Sequence, residues 1–257
     1  KEINPKSTPQ EIAEQQLKIQ QDNANEITKT LDISFTKSGP VHLNIPLEEP
    51  LYGMTEMAIS FNVPSLEISK NVVSEKDSDQ FKNKWRKAKK KMILVGVLSP
   101  DTINKEIFNL ICVDPSVVVL TEKTSNLNHS MTINSIDTLM APLEVLEEEK
   151  KTFLQPDILL TFGGMVVSKK IKSFLRNHPP EVHWHVDSKK AYNTYYCLKE
   201  HCLLQPNSFL KALYSEEYSP ASSYRDEVLK HYNKFGSRGK QWLKTQAFSD
   251  LKVFEKI

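Results

Sequence analysis

His183 and His185 are the first side chains in this sequence whose type and spacing suggest chemistry. They flank Trp184 in a short run typical of a strand, in which alternate side chains share one face. Two imidazoles on one face could bind a metal ion if Asp187 or another ligand joined them. Because no third ligand follows at close spacing, the pattern favours a structural role in which both rings line the end of a sheet beneath a helix.

Cys197, His201 and Cys202 form a second possible ligand group. Zinc sites usually pair their ligands in two separate loops, and this group supplies only one, so we predict a structural role here too. The chain contains 3 cysteines and no Cys-x-x-Cys pair. That content is typical of a reducing compartment, and we expect the protein in the cytoplasm.

A strongly basic run could contact the phosphates of a nucleic acid; it comprises Lys82, Lys84, Arg86, Lys87, Lys89, Lys90 and Lys91. Phe81 and Trp85 lie four residues apart within it, which is typical of the buried face of a helix. The formal net charge of the chain is only +2. We therefore predict a solvated helix end and no nucleic-acid partner. The acidic residues Glu144, Glu147, Glu148 and Glu149 likewise indicate an exposed helix face, without a cleft for acid and base catalysis.

Thr161-Phe162-Gly163-Gly164-Met165 is the best small-molecule candidate on physical grounds. The run follows a predicted strand and precedes a predicted helix, so its glycines could let backbone amides approach an anion at the helix N-terminus. A tight turn between strand and helix explains the glycine pair equally well. The 7 glycines of the chain form neither a dinucleotide fingerprint nor a Walker loop. The polar loop 124–129 could contact a ligand or simply connect two elements.

The elements that would position these residues alternate between short apolar runs and helical patterns from Glu75 onward. The predicted strands are Met92–Val97, Val117–Thr121, Ile158–Phe162, Val182–Asp187 and Cys202–Gln205. The predicted helices are Ser78–Lys89, Asp101–Cys112, Leu143–Phe153, Ser168–Arg176 and Asn207–Tyr214. This alternation predicts a doubly wound α/β domain with a mainly parallel sheet and helices on both faces.

The two ends of the chain differ from this central pattern. Residues 7–27 predict a helix capped near Thr8 and Glu11, and residues 41–46 predict a strand that proline closes. Residues 222–246 have helical composition, and Phe248–Leu251 predicts the start of another helix. We expect an excised piece of a longer protein. No apolar stretch approaches the roughly 18 residues of a membrane helix, so we expect no integral membrane contact.

Several segments resemble the thiamine-diphosphate-dependent enzymes. The junction Gly39-Pro40-Val41-His42-Leu43-Asn44-Ile45-Pro46-Leu47-Glu48-Glu49-Pro50-Leu51-Tyr52 is similar to the end of their first domain, in the form found in the branch that serves menaquinone biosynthesis. Three further segments agree, namely Ile93-Leu94-Val95-Gly96, Thr124–Leu127 and Pro156–Lys170, the last followed by His183–Asp187.

This resemblance implies four parts. They are the tail of a pyrimidine-binding domain at 1–48, a linker at 49–74, a Rossmann-like central domain at 75–215, and a helical linker to the diphosphate-binding domain at 216–257. It also implies that the parent enzyme decarboxylates 2-oxoglutarate on thiamine diphosphate, with Mg²⁺ or Mn²⁺, and adds the succinyl unit to isochorismate. The implied partners are the other domains and a second subunit, in a homodimer or tetramer.

The resemblance further implies that the catalytic, cofactor-binding and metal-binding residues lie outside this chain, so we name none within it. The family's metal motif is Gly-Asp-Gly, and none of the 7 glycines is followed by aspartate. We expect the fragment to be inactive alone and to hold no cofactor. The alternatives are a nucleotide- or FAD-binding central domain, as in enzymes of acetolactate-synthase type, or a ligand-sensing module.

Overall fold

The computed structural model describes residues 7–37, 39–46, 75–147, 151–216 and 219–254. The chain divides into two compact units, Lys1–Lys70 and Asn71–Ile257. The predicted linker at 49–74 lies outside the described residues. The predicted boundaries near residues 48, 74 and 215 stay predictions.

In the described part of the first unit, one long helix, α1, extends over Pro9–Lys37. The predicted cap is present, because the Thr8 amide donates to Glu11 Oε2 over 2.8 Å and the Glu11 amide donates to Thr8 Oγ1 over 3.3 Å. The strand predicted at 41–46 is wrong, since these residues have no regular secondary structure. A strand needs a hydrogen-bonded neighbour, and the described part of this unit offers only α1.

The second unit is built on a six-stranded sheet whose order is β3-β2-β1-β4-β5-β6. Its strands are β1 Lys91–Val95, β2 Val117–Leu120, β3 Thr132–Ile133, β4 Ile158–Phe162, β5 Val182–Val186 and β6 Glu200–Cys202. Every neighbouring pair is parallel, and Ile93 at the centre lies between Val119 and Leu160. This order is that of a doubly wound, Rossmann-like sheet, so the predicted fold class is confirmed.

Four of the predicted strands lie within about two residues of their observed bounds. The fifth, predicted at 202–205, lies instead over Glu200–Cys202. β3 was not predicted, and it has only 2 residues. Neither edge strand has enough length to show a period of its own, so only pairing with a neighbour defines it.

The helices of this unit are α2 Glu75–Lys87, α3 Lys105–Val113, α4 Ile136–Leu143, α5 Lys169–Asn177, α6 Pro206–Leu213, α7 Tyr224–Thr245 and α8 Asp250–Phe254. The helix predicted over 143–153 is wrong at its start: α4 ends at Leu143, a turn follows at 144–145, and residues 146 and 147 are not helical. Residues 148–150 of the predicted range lie outside the described residues. The apolar face of α4 begins before the predicted range, since its buried residues are Ile136, Leu139, Met140 and Leu143. The helix predicted from Asp101 begins four residues later, at Lys105. Asn104 caps this helix, because its side chain accepts from the Ile107 amide over 3.0 Å.

Two apolar layers cover the sheet. One packs Phe81 and Trp85 of α2, together with residues of α3 and α6, against Trp184 and its neighbours on the strands. The other packs residues of α4, α5 and α7 against the opposite face. Burial of Phe81 and Trp85 confirms the predicted buried face of the basic helix.

Candidate functional site

The crevice beyond the carboxyl ends of β1 and β4 is where a doubly wound domain usually binds a nucleotide. Here the two loops contact each other through their backbones. The Gly96 amide donates to the Phe162 carbonyl over 2.9 Å, and the Gly164 amide donates to the Val97 carbonyl over 2.8 Å. A Cβ on Gly96 would lie 1.9 Å from the Gly164 oxygen. The loops after β1 and β4 are therefore in direct backbone contact.

The N-terminus of α5, after the glycine pair, already holds an anion. The Val167 and Ser168 amides each donate to the Glu122 carboxylate over 2.8 Å. The Ser168 hydroxyl accepts from the Ile171 amide over 3.3 Å and so caps the helix. The amides of Val167 and Ser168 at this helix N-terminus thus bind an internal carboxylate, and the Gly164 amide donates to the Val97 carbonyl, which favours the tight turn as the explanation of the glycine pair.

Sequence reasoning missed Glu122. The available signal was an acidic residue directly after Thr121 and the buried strand β2, because carboxyl ends of parallel strands meet at one edge. The loop 124–129 that follows is bound to the loop after β1. Asn126 Nδ2 donates to the Leu98 carbonyl over 2.7 Å, and the Ser125 hydroxyl donates to the Val95 carbonyl over 2.9 Å. These bonds favour the connecting role over the ligand-binding one.

An open groove of about 850 Å³ lies beside Glu122. Its lining carries both signs of charge and includes Asp137, Glu144, Lys169 and Lys170. Lys170 and Glu144 form an ion pair. Glu148 and Glu149 of the predicted acidic face lie outside the described residues. The groove therefore presents no surplus of one charge to a ligand.

His183 and His185 both point at Thr161, the residue of β4 that opens the predicted glycine run Thr161–Met165. His183 Nε2 lies 2.9 Å and His185 Nδ1 lies 2.8 Å from the Thr161 hydroxyl oxygen. A hydroxyl carries one proton, so it donates to at most one ring and the other ring donates to it. Desolvation, followed by the nearby His185, lowers the pKa of His183 to about 3. His183 is therefore neutral at ordinary pH.

Cys197 and His201 complete this environment without forming a metal site. Cys197 Sγ lies 3.8 Å from His183 Nδ1, and His201 Nε2 donates to the Asp187 carbonyl over 2.7 Å. In the part of the chain that the structure describes, no three His, Cys, Asp or Glu side chains converge as a metal would need. The structural role predicted for these residues agrees with this hydrogen bonding.

A half-enclosed cavity of about 410 Å³ lies next to the histidines at the carboxyl ends of β4 and β5. Apolar and aromatic side chains form most of its wall, and Lys172, Lys190, His185 and Asp187 are among its polar groups. The Asp187 carboxylate accepts from the Lys189 and Lys190 amides over 2.7 and 3.0 Å. Asp187 thus stabilises its own turn rather than completing a histidine ligand set.

The basic run separates into different environments. Arg86 pairs with Glu216 over 2.9 Å, and the amides of Lys89 and Lys90 both donate to Asp157 over 2.9 Å. Lys91 was expected at a solvated helix end, and this expectation is wrong. It is the first residue of β1, and its side chain is fully buried.

The ammonium of Lys91 lies 3.7 Å from Asp114 and 5.1 Å from the centre of the Trp85 ring. Desolvation lowers its pKa to about 8, although Asp114 opposes the shift. Such a scattered set of cations does not form one phosphate-binding stripe.

Among the described residues, no helix combines the length and the apolar character that a membrane crossing requires.

Comparison with known proteins gives consistent relatives. The chain is 45% identical over 204 residues to 2-succinyl-5-enolpyruvyl-6-hydroxy-3-cyclohexene-1-carboxylate synthase of Christiangramia forsetii, covering 77% of this chain and 35% of the relative. Proteins with the same name from Flavobacterium johnsoniae and Flavobacterium psychrophilum are each 38% identical. Those matches cover 92% and 93% of this chain, and 42% and 43% of the relatives. The chain thus spans about two fifths of the length of these relatives.

A family model covers most of the second unit. The model described as "Middle domain of thiamine pyrophosphate" matches residues 63–256. This range includes the whole doubly wound sheet and its covering helices. The resemblance noted from the sequence is thereby confirmed, and the chain belongs to the family of thiamine pyrophosphate enzyme middle domains.

Proposed function

We propose that this chain is the central part of a thiamine-diphosphate-dependent synthase of menaquinone biosynthesis. The complete enzyme would decarboxylate 2-oxoglutarate and add the resulting succinyl unit to isochorismate. The observation that carries this proposal is the 45% identity over 204 residues to a relative whose name states that synthase activity. Two further relatives with the same name extend the similarity to 92% and 93% of the chain.

The role of this part is architectural. Parallel strands buried on both faces form a rigid body, and errors of about 1 Å in positioning catalytic groups lower rates roughly a hundredfold. Two features of the site support this role over ligand binding. The loops after β1 and β4 are in direct backbone contact at Gly96 and Gly164, and Glu122 occupies the N-terminus of α5.

Thiamine diphosphate and its Mg²⁺ or Mn²⁺ would bind to other parts of the enzyme. The described residues do not fit the metal, since they contain no cluster of three candidate ligands. No glycine in the chain begins a Gly-Asp-Gly motif either. We therefore assign no cofactor contact and no reaction step to this chain. Its partners would be the remaining domains and a second subunit, in a homodimer or tetramer in the cytoplasm.

An activity measurement on the complete open reading frame tests the synthase. It would follow consumption of isochorismate in the presence of 2-oxoglutarate, thiamine diphosphate and Mg²⁺, with the 257-residue chain as the control. We expect turnover by the complete protein alone. Turnover by the isolated chain would refute the architectural role, and a folded but inactive complete protein would refute the synthase assignment.

Titration calorimetry on the isolated chain tests the alternative of a nucleotide- or FAD-binding domain. We expect no heat of binding with NAD, FAD or ADP, because the Gly96 and Gly164 loops are in backbone contact. Saturable binding of any of the three would revive that alternative.

A further inference from the structure

Hydrogen bonds to the backbone of other parts of the domain come from three residues at or just before the start of α7, namely Ser222, Tyr224 and Arg225. Ser222 Oγ donates to the Lys89 carbonyl over 2.8 Å, and Tyr224 OH donates to the Leu154 carbonyl over 2.8 Å. Tyr224 is only 2% exposed. These contacts attach the start of α7 to the segments that lead into β1 and β4.

Arg225 attaches the same helix start to the end of α3. Its Nη1 donates to the Cys112 and Val113 carbonyls over 3.1 and 2.7 Å, and its amide donates to the Pro115 carbonyl over 3.0 Å. The last carbonyls of a helix carry partial negative charge and lack helical partners, so a guanidinium is well matched to them. Its Nε and Nη2 donate to Asp226 over 3.1 and 3.0 Å, which holds the side chain in this orientation.

From this anchored start, α7 crosses the domain along α4. Val228 is fully buried in the apolar layer, and Tyr232 OH donates to Asn134 Oδ1 over 3.2 Å. Asn134 directly follows β3, so it lies at the carboxyl edge of the sheet. The stretch from 224 to 236 measures roughly 18 Å, and a five-residue strand measures roughly 17 Å. The helix therefore runs from the amino edge of the sheet to the carboxyl edge.

The rest of α7 extends past that edge. Residues 237–245 add roughly 13 Å of helix, and most of them are exposed. Trp242 in this part is 55% exposed. The position of the extension depends on the direction of α7 at its anchored start, since a rotation there is amplified along about 30 Å of helix.

We propose that Ser222, Tyr224 and Arg225 form a clamp that fixes the direction of α7 and so places the following chain at the carboxyl edge of the sheet. They are positioning residues, because none of them touches a reacting group. The clamp itself follows from contacts within this chain. Its consequence for catalysis rests on the proposed function, since the segment placed this way would lead to the diphosphate-binding domain.

The test measures the direction of α7 in this chain by pulsed electron spin resonance. Spin labels would replace the exposed Lys211 on α6 and the exposed Gln241 on α7, with Cys197→Ser removing the half-buried native thiol. We expect one narrow distance distribution in the parent chain. Arg225→Ala should broaden it at least twofold or shift its mean by several ångströms, and Arg225→Lys should recover part of the change.

Arg238→Ala is the matched control, because Arg238 is an exposed arginine on the extension of the same helix. It should leave the distribution unchanged. Tyr224→Phe and Ser222→Ala test the clamp if Arg225→Ala fails to fold. An unchanged distribution in every folded clamp variant would overturn the proposal.

The complete enzyme supplies a second measurement that separates the clamp from the proposed function. There Arg225→Ala should lower kcat at least tenfold with little change in KM for 2-oxoglutarate. Broadening of the distance distribution together with an inactive wild-type enzyme would keep the clamp and refute the synthase assignment. Full activity of a variant with a broadened distribution would refute the catalytic consequence of the clamp.

Discussion

At the scale of single residues, Gly96 brings two backbones together at the centre of the carboxyl edge. An added Cβ would meet the Gly164 oxygen at 1.9 Å, and that oxygen belongs to backbone held by its own hydrogen bonds. No rotamer change can relieve such a contact, so either loop must move.

We therefore expect Gly96→Ala to lower the free energy of unfolding by about 3 kcal/mol or more. Gly239→Ala is the control, because a Cβ at this helical position meets nothing within 4 Å. That change should raise the free energy of unfolding by about 0.5–1 kcal/mol. Urea unfolding of both variants measures the difference, and equal stabilities would contradict the close approach at Gly96.

His183 makes a pH-dependent contribution to stability. Its pKa falls to about 3 in the folded chain, against 6.5 when the ring is free in water, chiefly because burial disfavours the charged form. Between these values the unfolded chain binds a proton that the folded chain does not, so stability falls as the pH falls through this window.

Between pH 7 and 4.5 the contribution of His183 to the free energy of unfolding should decrease by about 3 kcal/mol. His185 adds a loss of the same sign, since burial also lowers its pKa. In His183→Gln the pH dependence of unfolding, measured in denaturant at each pH, should be distinctly shallower. Parallel curves for the two proteins would show that His183 is not the buried neutral ring described.

At the scale of elements, the N-terminus of α5 depends on a residue from the loop that follows another strand. Glu122 follows β2, yet its carboxylate accepts from the Val167 and Ser168 amides in front of α5. The interaction joins the β2 loop to the β4 loop and neutralises the positive end of the helix.

Glu122→Gln keeps an acceptor oxygen but removes the charge, so we expect the free energy of unfolding to fall by about 1–2 kcal/mol. Hydrogen exchange at the Val167 and Ser168 amides should accelerate more than exchange in β1. Glu181→Gln, at an exposed position before β5, should change the stability by less than about 0.5 kcal/mol. Equal effects of the two substitutions would contradict the role assigned to Glu122.

At the scale of the whole molecule, the second unit contains both apolar layers. Their buried residues all lie between Phe81 and Val228, within Asn71–Ile257. A unit with its own core and a complete sheet is expected to fold alone.

Deleting residues 1–70 should therefore leave the thermal midpoint of this unit within about 3 °C of its value in the whole chain. Near-ultraviolet circular dichroism should retain the signals of Trp85 and Trp184, which are fully buried in this unit. Loss of cooperative unfolding in the shortened chain would show that the first unit is part of the same folding unit.

The fold class and the central strands could be predicted from the amino-acid sequence. Runs such as Val117–Leu120 and Ile158–Phe162 are buried on both faces of the sheet, so their composition alone marks them as interior parallel strands. The glycine pair also correctly marked a special turn, as Gly163 has a φ of 81°. The structural role of the two histidines stays a prediction, which rests on the absence of a third ligand at close spacing in the sequence.

The contacts of these residues could not be predicted, because they depend on the folded chain. Glu122 lies 45 residues before Val167, and Ser222 lies 133 residues after Lys89, so no local pattern relates the partners. Likewise, Lys91 belongs to a basic run in sequence, yet the start of β1 carries it into the interior beside Asp114. Local sequence sets periodicity and turn chemistry through short-range sterics, whereas burial and long-range hydrogen bonds depend on which strands become neighbours.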